Sequence, residues 1–113
     1  MKVYLLRYLD CNEGTPIFLR VFESLEKAKK AARKEIKEEH CNDPIILENR
    51  DDLDKNVATA DSNIWVWEEA TDLYSSFYNT FVGSYSLCNY NEKSEELHEA
   101  DILYMEIFEK EIE

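Results

Sequence analysis

The apolar positions of this chain change their period once in the first 40 residues, from strand to helix. "KVYLLRYL" (2–9) and "PIFLRVF" (16–22) are short runs rich in β-branched and aromatic residues, and they flank "DCNEGT" with its Asp, Asn and Gly. That grammar predicts two strands joined as a hairpin by a medium loop. In the second run Ile17, Leu19 and Val21 alternate with Phe18, Arg20 and Phe22. The period then lengthens. Leu25, Ala28, Ala32 and Ile36 recur at helical spacing in "LEKAKKAARKEIKEEH", one narrow apolar stripe. Ser24 is placed to cap that helix, Glu26 sits in its first turn, and the small alanines let it lie close on a sheet. The helix is expected to end near Asn42, because the residue before Pro44 is biased away from α conformation.

Beyond Pro44 the pattern returns towards period two. "IILEN" reads as a short strand, and "NIWVWEE" (63–69) as a clear one, with Ile64 and Val66 on one face and Trp65 and Trp67 on the other. "DLYSSFYNTFV" is divided: Leu73, Phe77 and Phe81 fit a helical stripe, whereas Ser, Asn and Thr favour a turn or strand. "GSYSLCN" suits another strand. In "DILYMEIFEKEIE" Ile102, Tyr104 and Phe108 share one face and Leu103, Met105 and Ile107 the other, so its first half is expected to be buried on both sides. These elements predict an α+β fold: a mostly antiparallel sheet, a ββα start and one principal amphipathic helix, in a single domain spanning 1–113.

The opening run, with Phe22, Ser24, Lys27 and Ala28 in a "Phe-x-Ser-x-x-Lys-Ala" helix start, resembles small bacterial and phage-encoded proteins of unassigned function. The likeness covers about the first 40 residues, with a looser echo in the Trp-containing and closing strands. It implies the same ββα-initiated fold and brings no catalytic residue with it.

Composition changes the picture mainly through charge. The 113 residues carry 14 aromatics, enough for a packed core, and only two Gly and two Pro, so no linker is visible. The net charge is −12, unevenly spread. Residues 1–40 hold nine Lys/Arg against seven Asp/Glu, while residues 41–113 hold four against eighteen. Such a field repels nucleic acid and anionic membranes and attracts basic surfaces. The apolar run at the start is broken by Arg7 and no segment is long enough to span a bilayer. Cys11, Cys41 and Cys88 are widely spaced with no C-x-x-C, which suits reduced thiols in a cytoplasmic protein.

Candidate chemistry is thin. Asp52, Asp54 and Asn56 fall at the first, third and fifth positions of an EF-hand-like loop, but Val57 stands where the turn needs Gly and Asn63 where a bidentate Glu should close the shell. His40, His98 and the cysteines lack the spacing of zinc-ligand pairs. There is no nucleophile elbow, no phosphate-cradling Gly-rich loop and no His-Glu-x-x-His. The reading is therefore non-enzymatic, with no cofactor and no metal. Lys27, Lys30, Lys34 and Lys37 lie within about 80° of helix arc, which reads first as a solvated face with Glu26–Lys30 and Lys34–Glu38 pairs.

The carboxylates of the second half are the stronger candidates. Glu92, Glu95, Glu96, Glu99 and Asp101 crowd just before the last strand, and Glu109, Glu111 and Glu113 alternate along it at roughly 6.6 Å. A row of fixed negative charges can occupy a nucleic-acid channel by meeting the same Lys and Arg side chains that grip phosphates. In charge and size only, the chain is similar to the acidic DNA-mimicking inhibitors that phages direct against restriction and CRISPR nucleases. The expected partner is a basic protein surface such as that of a nuclease, with neither direct nucleic-acid binding nor a membrane involved. The alternative is an interaction or homodimerisation module using exposed aromatics: Trp65, Trp67, Tyr74 and Tyr78.

Overall fold

The structure, a computed structural model, describes residues 1–14, 17–40, 43–70 and 80–112, apart from the side chains of Leu19 and His40. Its elements follow the order β1 (Lys2–Asp10), β2 (Ile17–Phe22), α1 (Leu25–Glu35), β3 (Ile45–Leu47), β4 (Ile64–Glu69), β5 (Thr80–Asn91) and β6 (Glu96–Glu111). The strands form one six-stranded sheet in the order β2-β1-β6-β5-β4-β3. Every neighbouring pair is antiparallel except β3 and β4, which run parallel. The α+β architecture with one principal helix is as the sequence predicts.

Ser24 begins the helix as expected: its backbone is extended and its hydroxyl accepts from the Lys27 N–H at 3.2 Å. The α-helical spacing gives way to a π-helical turn over Ile36–His40, and Asn42, the expected end of the helix, lies outside the described residues. Ala28, Ala32 and Ile36 are fully buried and bring α1 down onto one face of the sheet. There they meet Leu6, Phe22, Trp65, Trp67, Tyr85, Met105 and Ile107. Alternation along β4 sends Ile64 and Val66 to the other face, where Cys88, Tyr90 and Leu97 join them under Leu53 and Ala58 of the β3–β4 crossover. A parallel pair requires such a crossover, and here the crossover also serves as the cover for that end of the sheet.

Several sequence expectations need correction. Trp65 and Trp67 are not surface aromatics: they are 0% and 7% exposed, because the face chosen by their alternation is the one α1 covers. The final strand starts earlier than expected, at Glu96, so Glu96, Glu99 and Asp101 lie within it rather than ahead of it. Its doubly buried stretch is Met105–Phe108, while Ile102 remains 37% exposed. Of "DLYSSFYNTFV", only Thr80–Val82 is described, as the beginning of β5; Tyr74, Tyr78 and Glu113 lie outside the described residues.

One irregularity matters for the site. Ser86 of β5 pairs with Tyr104, yet Cys88 pairs with Glu99, so β6 spends four residues (100–103) where β5 spends one. Asp101 in this bulge has φ 56°, a left-handed conformation that non-glycine residues seldom adopt. The bulge divides β6 into an outer part paired with the tip of β5 and an inner part, Leu103–Glu111, held between β1 and β5.

Candidate acidic interaction surface

The β5–β6 turn is built by Asn91, whose side-chain oxygen accepts from the N–H groups of Lys93 (2.9 Å) and Ser94 (3.2 Å). Glu95 completes the turn with φ 56°. The strand ends and the turn hold Glu92, Glu95 and Glu96 outward, all exposed. Lys55 approaches Glu95 at 3.8 Å and His98 approaches Glu96 at 3.7 Å, but these exposed contacts neutralise little. Glu99 and Asp101 follow at the bulge, both exposed. Tyr104 donates its hydroxyl to the Asp101 carboxylate at 3.0 Å. Partial burial, then the charges of Asp101 and Glu68, push the Glu99 carboxyl above its ordinary range.

The seven acidic site residues expected from sequence therefore divide. Glu92, Glu95, Glu96, Glu99 and Asp101 share one hairpin. Glu109 and Glu111 lie at the other end of β6, where Lys2 pairs with Glu109 at 3.3 Å and the N-terminal ammonium of Met1 with Glu111 at 3.1 Å. The strand is ordered through this end, since the Ile112 N–H donates to the Met1 carbonyl at 2.7 Å.

Sequence reading missed a concavity on the face that α1 leaves open. It has a volume of about 330 Å³ and is lined by Glu68, Glu69, Ser84, Ser86, Glu99, Tyr104 and Glu106, with Leu9, Ala70 and Phe81 at its sides. Glu106 is only 8% exposed, and Arg7 holds it with Nε and Nη2 at 2.9 and 2.7 Å from the same oxygen. The Arg7 guanidinium also stacks 4.6 Å from the Phe108 ring centroid. Arg50 reaches Glu68 at 3.0 Å and donates to the Leu97 carbonyl, lying across the outer part of the hairpin. The signal in the sequence was a single acid inside an apolar run, "YMEIF", which marks a carboxylate carried into the sheet with a partner.

A second charged group has a structural task. Glu48, just beyond β3, accepts from Lys29 at 2.8 Å, Arg33 at 2.9 Å and the Tyr85 hydroxyl at 2.5 Å. Arg33 also donates to Tyr85 at 2.8 Å, and Lys29 lies over the Trp67 ring. Partial burial works against the Glu48 charge, but the hydrogen bonds from Lys29 and Tyr85 outweigh it and hold the carboxyl below its ordinary range. Burial, with the bond to Glu48, pushes the Tyr85 phenol well up. Thus Lys29 and Arg33 clamp α1 to the sheet, and the outward cations are Lys27, Lys30 and Lys34.

The EF-hand-like positions serve the loop's own backbone. Asp54 spends a carboxylate oxygen on the Asn56 N–H at 2.9 Å and its carbonyl on Val57 and Ala58, closing an ordinary turn. No group of three or more His, Cys, Asp or Glu suited to a metal occurs among the described residues. Cys11 is exposed and Cys88 buried, both free; burial pushes the Cys88 thiol up to about 11, which keeps it protonated and unreactive. Among the described residues no helix is long and apolar enough to cross a membrane. No family model, curated protein or solved structure matches the chain.

Proposed function

We propose that this chain is a non-enzymatic, acidic protein-interaction domain of the cytoplasm. It would present carboxylates to the basic nucleic-acid-binding site of a nuclease, in the manner of a phage DNA-mimicking, anti-CRISPR-like inhibitor. The observation that carries this reading is the display of Glu92, Glu95, Glu96, Glu99 and Asp101, all exposed, from one hairpin anchored in the sheet. Backbone pairing fixes the positions of these charges, so little ordering entropy is lost when a lysine- and arginine-rich groove closes on them. Surplus charge supports the same reading: residues 41–113 carry eighteen acids against four bases, and the chain as a whole has a net charge of −12. The alternative module using exposed aromatics loses Trp65 and Trp67 to the core, and its Tyr74 and Tyr78 lie outside the described residues.

The test is capture from a bacterial lysate at low and high salt, followed by competition with duplex DNA for the partner so identified. Binding should weaken steeply with salt, and duplex should displace the chain. The triple variant Glu95→Lys, Glu96→Lys, Glu99→Lys should lose roughly a hundredfold in affinity. Wild-type affinity in that variant ends the mimicry reading.

A further inference from the structure

The opposite side of the molecule has the contrary character. Strand β2 is an edge of the sheet, and it exposes Ile17 (52%), Phe18 (54%) and Val21 (58%). These are three of the seven large apolar side chains that are exposed among the described residues. Phe18 lies opposite Arg7 and Val21 opposite Leu5, so both face away from α1 and line a hollow with Leu5 and Arg20. Natural edge strands are usually protected by charge, proline or brevity, because their unpaired backbone groups template further pairing. Here the protection is one charged side chain, Arg20, on six residues and the bulge where the register shifts opposite Leu6/Arg7.

We infer that β2 is a self-association edge, and that its occupant is the β2 strand of a second copy, paired antiparallel about a two-fold axis. The argument for a second copy is electrostatic. A molecule of charge −12 repels itself, and close approach is easiest where the local charge is least negative. That place is the β2 side, where Arg20, Lys27, Lys30 and Lys34 line the groove between β2 and α1. The same groove continues to Glu35 and Glu38, so its charge runs from basic to acidic along the helix. A two-fold axis normal to the sheet keeps both helices on one face and reverses their direction. Lys27 and Lys30 of one copy then oppose Glu35 and Glu38 of the other. The strands β1 and β1′ would stand three strand spacings apart, about 14 Å, a gap that long Lys and Glu side chains can bridge. Existing pairs in the groove, Lys27–Glu23 at 3.2 Å and Lys34–Glu38 at 4.0 Å, are exposed and readily exchanged. Isologous pairing of this kind closes the edge and leaves the two acidic hairpins pointing outward.

Sedimentation equilibrium of the full chain, from about 1 µM to about 500 µM, tests the inference directly. The mass should rise from 13.4 kDa towards twice that value. Hydrogen exchange at Phe18–Val21 should slow over the same range. Val21→Lys, at an exposed position, should keep the wild-type melting curve at low concentration and stay monomeric throughout. Lys27→Glu with Lys30→Glu should weaken association at least tenfold, and adding Glu35→Lys with Glu38→Lys should restore it. A mass of 13.4 kDa at every concentration overturns the inference, as does a Val21→Lys chain that dimerises like wild type. Failure of the charge exchange to restore association overturns the two-fold arrangement. None of these outcomes depends on the acidic hairpin.

Discussion

Glu48 and Glu99 are both partly exposed carboxylates, and their neighbours set them in opposite directions. Glu48 lies among Lys29, Arg33 and Tyr85, and its depressed pKa means that the folded state favours the charged form. Its contribution is therefore present above the ordinary carboxylate value and lost as pH falls through the lower, folded value. Glu48→Gln should be less stable than wild type near neutrality, and the gap should close on acidification; thermal melts from pH 7 to pH 3 provide the check. Glu99 sits near Asp101 and Glu68 with a raised pKa, so ionisation costs stability in the fold. Glu99→Gln should melt higher than wild type at pH 7, and that gain should fade as pH falls towards the ordinary carboxylate value. Gly83 illustrates a different constraint. A Cβ there would meet the Glu68 carbonyl at 2.6 Å and the Trp67 ring at 2.7 Å. Gly83→Ala should cost about 1–3 kcal/mol in chemical denaturation, from steric conflict alone, since the backbone at Gly83 is not in a left-handed conformation.

Among the elements, those governed by local pattern were legible in the sequence. The strand pair, the Ser24 cap, the alanine stripe and the alternation of Ile64–Trp67 follow from periodicity and from hydrogen bonds between residues close in the chain. What period two does not reveal is which face of a strand another element will cover. For that reason the sequence alone offers Trp65 and Trp67 as surface aromatics, although α1 buries them. The bulge at 100–103 was equally hidden, because it arises from the mismatch between β5 and β6 rather than from any motif within β6. The acidic hairpin was readable as composition, but its division from Glu109 and Glu111 depends on the pairing of β6 with the N-terminal strand. Two substitutions test element energetics. Trp65→Ala should cost about 3–5 kcal/mol, measured by denaturant unfolding, because the side chain is wholly enclosed. Glu95→Gly should stabilise the β5–β6 turn by roughly 1 kcal/mol, since it relieves a left-handed residue and sacrifices only a weak exposed contact with Lys55.

At the scale of the whole molecule, charge and topology act on stability together. The molecule extends over 50 Å in its long direction, and residues 41–113 carry eighteen of its acids. Repulsion among them outweighs the exposed ion pairs, so the melting temperature should rise by a few degrees between about 0.02 M and about 0.5 M NaCl. A fall would mean that pairs such as Lys2–Glu109 matter more than the net field. The place of β1 in the sheet has a further consequence, one of time. This strand is flanked by β2 and β6, and its Arg7 meets Glu106 across 99 residues of sequence. Before β6 arrives, β1 and β2 are an isolated pair beneath a helix, which is marginal in water. Ribosomal synthesis therefore delivers the first strand long before its central neighbour. Closure of that long loop should set the rate of folding, in the slow range typical of sheets built from distant pairings.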